Sequence, residues 1–292
     1  MIRAAASGAG PAGATGSRQP VLFVSHGAPT LAMEPGPTAG FLRDLGAALR
    51  APSGPSPSGS SPAAPPRAVL CFSAHWESAG PRVTLTAQPE TIHDFYGFPE
   101  ALYRERHPAP GDPALAERAL GLLRGAGIEV TGDSRRGLDH GAWVPMKLID
   151  PAASIPIVQV AVSSMRDAGF QFDVGRALAP LRDDGVLILG SGGATHNLGE
   201  FGRHDYDSEP VAWARAFDDW LREAIEAGRS EDLLAWEERA PDPRRNHPTH
   251  EHFLPLIAAL GAAVGSGTPR GRRLHAGFTY GVLSMAAFAW GD

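Results

Sequence analysis

The sequence predicts an α/β fold: a single domain with a mostly parallel central sheet covered by helices, and an active site at the C-terminal ends of the strands. Three observations carry this. Apolar runs of strand length alternate with stretches of helical period, as in sheets whose parallel strands are joined by helical crossovers. Several runs are apolar throughout, as strands buried on both faces must be. Histidines flanked by small residues follow three of these runs, where ligand crevices form in open α/β sheets.

The elements follow in order. Val21–Val24 is a short apolar strand that ends at Ser25-His26-Gly27. Pro37–Leu49 reads as a helix with Phe41, Leu42, Leu45 and Leu49 on one face. Ala68–Phe72 is a buried strand that runs into Ser73-Ala74-His75-Trp76, and Arg82–Thr86 alternates as a half-buried one. Pro113–Leu123 is a helix closed by Gly125 and Gly127, followed by a strand at Ile128–Val130 and a helix from Gly141 to about Ile149. Ile155–Val162 is a strand, Phe172–Leu181 a helix, and Val186–Leu189 a strand that ends in Gly190-Ser191-Gly192-Gly193. Pro210–Ala227 is the clearest helix: Ser208 can cap it, Pro210 suits its first turn, and Trp213, Phe217, Trp220 and Leu221 keep the 3.6-residue period. A helix from about Phe253 to Ala263 and one or two C-terminal strands complete the domain. Residues 1–19 read as a disordered leader, and 51–66, rich in Pro, Ser and Gly, as a low-complexity surface insertion within a catalytic domain of residues 20–292.

Composition narrows the function classes. The chain has 292 residues, 43% hydrophobic and 20% charged, with a net charge of −6. That balance argues against a nucleic-acid or anionic-membrane surface, which needs clustered Lys and Arg. No apolar run reaches the ~18 residues of a membrane helix. A single cysteine, Cys71, excludes an internal disulfide framework and a Cys-rich zinc module, and fits a reducing cytoplasm. Eleven histidines are the unusual feature.

His26, His75 and His196 each follow a strand that reads as central, so three strands deliver imidazoles to one rim. A lone histidine is more often a satisfied core residue than a ligand; three at equivalent strand ends favour a shared site. Such a set suits Zn(II) or Fe(II), not the oxygen-preferring Ca(II) or Mg(II). Glu77, Asp139 and Glu251 are carboxylates able to complete it. A fourth cluster, His247, His250 and His252, precedes the last helix, and at least one of its members reads as a solvated loop residue. The glycine run at Gly190–Gly193 lacks the Lys-Ser/Thr of a phosphate loop and the spacing of a nucleophile elbow.

The motifs Ser25-His26-Gly27-Ala28-Pro29, Ser73-Ala74-His75-Trp76 and Leu138-Asp139-His140-Gly141-Ala142-Trp143-Val144-Pro145 resemble those of class III extradiol ring-cleaving dioxygenases, in the branch of the DOPA 4,5-dioxygenases and their bacterial relatives. So do Ile92-His93-Asp94-Phe95-Tyr96-Gly97-Phe98-Pro99, Gly190 to Leu198, Pro248 to Leu256 and Phe278-Thr279-Tyr280-Gly281, in order from about residue 20 to 290. The resemblance implies a mononuclear non-haem metal, Fe(II) in the active enzyme and often zinc as isolated, held by His26, His75, His196 and His252. The wider class uses two histidines and a glutamate with a further histidine as acid/base, which leaves His196 open as the base. Where relatives commonly have proline this chain has His250; His252, ahead of Phe253-Leu254-Pro255-Leu256, is preferred as the ligand.

The implied substrates are a catechol-bearing small molecule and O2. The base that deprotonates the catechol is His196 or His140. Asp139 or a backbone carbonyl orients an imidazole. Trp76, Tyr96, Trp143 and Tyr280 are candidates for the aromatic pocket, with core packing as the competing role. The alternatives are a zinc hydrolase that uses a metal-bound water and a non-enzymatic protein with a closed histidine site.

Overall fold

Strands apolar on both faces must be covered on both faces, and the computed structural model shows how. It describes residues 18–51, 64–265 and 267–291. The expected leader and insertion lie largely outside these; at their described edges Gln19 is buried and its Nε2 donates to Ala64 O at 2.7 Å.

In chain order the main elements are β1 (Val21–Ser25), α1 (Pro37–Arg50), β2 (Ala68–Glu77), β3 (Arg82–Thr84), α2 (Pro113–Gly125), β4 (Thr131–Asp133), α3 (His140–Ile149), β5 (Ile157–Val162), α4 (Ala168–Leu178) and β6 (Val186–Gly192). There follow α5 (Leu198–Phe201), α6 (Ala212–Ala227), three short helices α7 (Ser230–Leu234), α8 (Trp236–Arg239) and α9 (Pro243–Asn246), then α10 (Leu254–Ala263) and strands β7 (Gly271–His275), β8 (Phe278–Thr279), β9 (Leu283–Ser284) and β10 (Ala287–Trp290).

Eight strands form one sheet in the order β4-β3-β5-β2-β6-β1-β10-β7, and β8 pairs with β9 in a separate ribbon. The central four, β5, β2, β6 and β1, are mutually parallel, while β10 and β7 close one side antiparallel. Period-two alternation splits the core into two layers. Val21, Phe23, Leu70, Phe72 and Ile188 pack under α2, α4, α6 and α10, whereas Leu22, Val24, Val69, Cys71, Leu187 and Leu189 pack under α1 and α3. Full burial of each such large side chain contributes roughly 1.5–3 kcal/mol. Helices α4 and α10 touch through Gly175, where a Cβ would lie 1.9 Å from Ala258 O, so a larger residue would force them apart.

Three starts are set by local chemistry: Asp112, Asp139 and Asp167 cap α2, α3 and α4 by accepting from Leu115 N, Ala142 N and Phe170 N. Elsewhere tertiary contacts override local signals. The strand expected at Ile128–Val130 forms instead at Thr131–Asp133, paired with β3. Helix α4 begins at Ala168, four residues before the expected Phe172, and ends at Leu178; the remainder of the expected helix is a 3-10 turn. Ser208 does not cap α6, because the helix starts four residues later, at Ala212; Val211 is the N-cap, its N–H held by Gly281 O. The C-terminus contributes four strands instead of one or two. Among the described residues no helix is long and apolar enough to cross a membrane.

Candidate metal centre and active site

The parallel strands aim their C-terminal ends at one crevice, and the histidines arrive there by different routes. His26 is the first residue after β1, with its N–H donated to Gly192 O at 3.0 Å. His75 lies within β2: the register with β5 slips between Ser73 and Glu77, and this irregular segment aims the imidazole inward. His252 sits just before α10, where its carbonyl accepts from Gly193 N at 3.0 Å. Only glycine fits opposite it, since a Cβ on Gly192 would lie 2.2 Å from His252 O.

Three ring nitrogens converge. His75 Nε2 lies 2.9 Å from His26 Nε2 and 3.2 Å from His252 Nε2. The partners of the far nitrogens set the tautomers. Ser191 Oγ donates to Gly141 O, so it accepts from His26 Nδ1 at 3.0 Å. Glu251 Oε1 accepts from His252 Nδ1 at 2.8 Å. Both Nε2 atoms therefore carry lone pairs on the side that faces His75 Nε2, and His140 is close enough to join His26 and His75 in one donor group. Ligand nitrogens about 2.0–2.1 Å from one ion stand roughly 3 Å apart at adjacent coordination positions, which is the spacing found. The donor set fits a divalent transition metal.

Burial keeps these rings neutral. Desolvation, followed by the neighbouring histidines, pushes His26 and His252 well below the usual imidazole range. Burial and then His140 lower His75 to about 3. His196 is lowered to about 4, mainly by burial. Its ring stacks on His252 with centroids 3.4 Å apart, at the side of the converging nitrogens. His140 occupies the other flank, 3.7 Å from the His75 ring, with Nδ1 3.0 Å from Asp94 Oδ1. Burial alone would raise Asp94, but hydrogen bonding from His140, including its backbone N–H at 2.9 Å, holds the carboxylate at about 2.

Behind the cluster lies a braced network. Asp139 is fully buried and accepts from Ser73 Oγ at 2.6 Å, Gln159 Nε2 at 2.8 Å and Arg136 Nη2 at 2.9 Å. The same Arg136 nitrogen donates to His75 O at 3.0 Å, so this pair fixes the backbone that carries His75. Asp139 thus touches no metal-facing nitrogen, and Glu77 is exposed at the end of β2. The third candidate carboxylate, Glu251, reaches the site through His252.

The fourth histidine cluster divides three ways. His247 is buried and donates from Nε2 to Ala194 O at 3.0 Å; His250 faces outward to Glu237 at 3.1 Å; only His252 joins the centre.

A cavity of about 430 Å³ opens onto the histidines, with Phe95, Phe98, Leu198, Phe201 and Met285 among its walls. The four aromatic candidates stand outside that wall. Trp143 is fully buried and donates from Nε1 to Ile92 O at 2.9 Å. Trp76 is buried beneath Arg136, whose guanidinium lies 5.3 Å from its ring. Tyr96 is 92% exposed, and Tyr280 packs behind Phe201 with centroids 4.2 Å apart. Phe95 and Phe98 stand in the same motif as Tyr96; alternation along an irregular loop does not tell which ring turns inward. Asp94 and Arg136 also went unassigned in the sequence, although Asp94 stands in the quoted His-Asp-Phe-Tyr motif.

Known proteins resemble the chain over most of its length. Residues 20–285 match the family described as the catalytic LigB subunit of aromatic ring-opening dioxygenase. The chain is 39% identical over 269 residues to a 4,5-DOPA dioxygenase extradiol of Beta vulgaris, covering 91% of this chain and 94% of that one. It is 38% identical over 253 residues to the Escherichia coli protein of the same name, covering 85% and 87%. A crystal structure of an uncharacterized Escherichia coli K12 protein superposes with a TM-score of 0.73 at 30% identity, over 94% of this chain and all of the other. These relatives favour ring-opening chemistry over the hydrolase alternative. The chain belongs to the LigB family of aromatic ring-opening dioxygenases and is an extradiol ring-cleaving enzyme of that family.

Proposed function

We propose that His26, His75 and His252 hold the metal, Fe(II) in the active enzyme with zinc able to occupy the same nitrogens, and that His196 acts as acid/base instead of as a fourth ligand. The observation that carries this is that His75 Nε2 stands 2.9 Å from His26 Nε2 and 3.2 Å from His252 Nε2, with the His196 ring stacked on His252. A divalent metal held by these histidines would supply open positions for a catechol and O2 and Lewis-acid activation of the diol.

The protein supplies the rest. Ser191 and Glu251 fix the tautomers of His26 and His252. His196, unprotonated at neutral pH, accepts the catechol proton. His140, with the Asp94 carboxylate at its back, lines the opposite flank and hydrogen-bonds the second oxygen. The apolar wall excludes water. In the overall reaction the bond between a hydroxyl-bearing carbon and its unhydroxylated neighbour breaks. Each of those carbons takes one oxygen atom of O2, leaving a carboxylate and an aldehyde. Cys71, buried and unpaired, is consistent with a reducing cytoplasm as the compartment.

The test is oxygen consumption with a panel of catechols, DOPA included, after anaerobic Fe(II) reconstitution. A yellow semialdehyde with stoichiometric O2 uptake is expected. No uptake with any catechol would overturn the assignment.

A further inference from the structure

We propose that the catechol this site accepts carries an uncharged, apolar ring substituent and not a free carboxylate; the proposal rests on the ring-opening function assigned above. With the diol at the histidines, a substituent must extend along the cavity towards its mouth. Among the described residues no Lys or Arg lines that wall, and apart from histidine its one charged side chain is Glu251. Carboxylate recognition ordinarily needs a guanidinium, an ammonium or uncommitted donors.

The hydroxyls of the wall are already committed. Ser25 Oγ donates to Ala286 O at 2.9 Å and Thr195 Oγ1 to Val282 O at 2.8 Å. Ser284 Oγ donates to Asp218 Oδ1 at 2.6 Å. In the loop after β6, the amides of Gly193, Ala194 and His196 are held by His252 O, Ser25 Oγ and Asn246 O. The arginines near α5, Arg203 and Arg245, both point to Glu200. A carboxylate drawn into this cavity would be desolvated without a lysine or arginine partner and would face Glu251.

The mouth states the positive half. Leu198 is 60% exposed at the cavity edge, and Tyr96 follows the wall residue Phe95. Leu198 joins Phe95, Phe98, Phe201 and Met285 in an apolar wall, and exposed apolar surface at a cavity edge suits an apolar ligand group.

The experiment pairs 3-(3,4-dihydroxyphenyl)propionate with its methyl ester, which share ring, diol and chain length and differ in charge, with 4-methylcatechol as a neutral reference. For the Fe(II) enzyme, kcat/KM is expected to favour the ester by about tenfold or more, through KM. Anaerobic equilibrium dialysis against zinc-loaded protein should show the same preference without turnover. Leu198→Arg and Phe98→Arg place a cation at the edge and in the wall, and at least one should narrow the ratio severalfold. Equal or better use of the acid, or an unchanged ratio in both variants, would overturn the proposal. Failure to turn over 4-methylcatechol and both paired compounds would instead overturn the ring-opening function.

Discussion

The two ends of the cavity are built on opposite principles. At the inner end the side chains are polar, buried and multiply held: His26 by Ser191, His252 by Glu251, the His75 backbone by Arg136. At the mouth they are apolar, partly exposed and joined mainly by ring packing, as in Phe95 on Phe98 at 5.3 Å and Phe201 on Tyr280 at 4.2 Å. On the proposed reading, geometry is enforced where bonds break, and surface character is displayed where a substrate is chosen. Substitutions at the two ends should therefore fail in different currencies: metal and rate inside, affinity outside.

The largest effect is expected at the centre of the nitrogens. His75→Ala removes the imidazole that faces both others and should abolish metal retention and turnover while the circular dichroism spectrum stays native; a full metal complement by elemental analysis would refute its role. His196→Ala should keep the metal yet lose about 10²- to 10⁴-fold in kcat, the usual range for a general acid–base group. If it loses metal as completely as His75→Ala, His196 is a ligand and the base role passes to His140.

Removing a brace should cost less. Arg136→Ala leaves His75 O and the buried Asp139 each without one donor. It is expected to weaken metal affinity about 10- to 100-fold and to destabilise the fold by about 1–3 kcal/mol. Competitive chelation and denaturant titration measure the two separately, and unchanged affinity would reduce the pair to a structural role. At the mouth, Phe98→Ala should raise KM for alkylcatechols severalfold with metal content unaltered; a loss of metal there would erase the division between the two ends.

Acid should act on buried histidines remote from the mouth. Burial holds His247 at about 3 and His107 at about 4, against an ordinary 6.5. Between those values and 6.5 the unfolded chain binds protons that the folded chain does not, so stability is complete above pH 6.5 and falls as pH drops towards 4. Each group contributes up to about 1.4 kcal/mol per pH unit in that window. Urea titrations at pH 5 and 7.5 should show the difference, and His107→Gln should flatten part of it.

Much of this was legible in the chain because the signals are local. Apolar runs such as Val69–Phe72 and Val186–Leu189 become central strands, and the small residues beside His26 mark the end of β1, whereas β2 runs on past His75 to Glu77 and β6 ends four residues before His196. The readings that failed depend on partners far away in sequence. Thr131–Asp133 has no apolar pattern and is a strand only because β3 lies beside it. Val211 rather than Ser208 begins α6 because Gly281 holds its amide. For the site, residue type located the histidines, and of the pair preceding the last helix it is His252, preferred in the sequence, that stands beside His75, while His250 faces Glu237. Which aromatic rings turn inward depends on loop paths, so Phe95, Phe98 and Phe201 took the places expected of Trp76, Tyr96, Trp143 and Tyr280.

The three converging nitrogens come from residues 26, 75 and 252, so no contiguous stretch of chain contains the centre. It exists only when β1, β2, the loop after β6 and the start of α10 have all docked. An ion that binds these nitrogens therefore binds the completed fold and very little of the unfolded chain, and it stabilises the protein by about 2.7 kcal/mol when its free concentration is a hundred times its dissociation constant. Loading thus doubles as proofreading: a molecule that has misplaced its last helix holds no ion, and its chemistry stays switched off until the chain is correctly assembled.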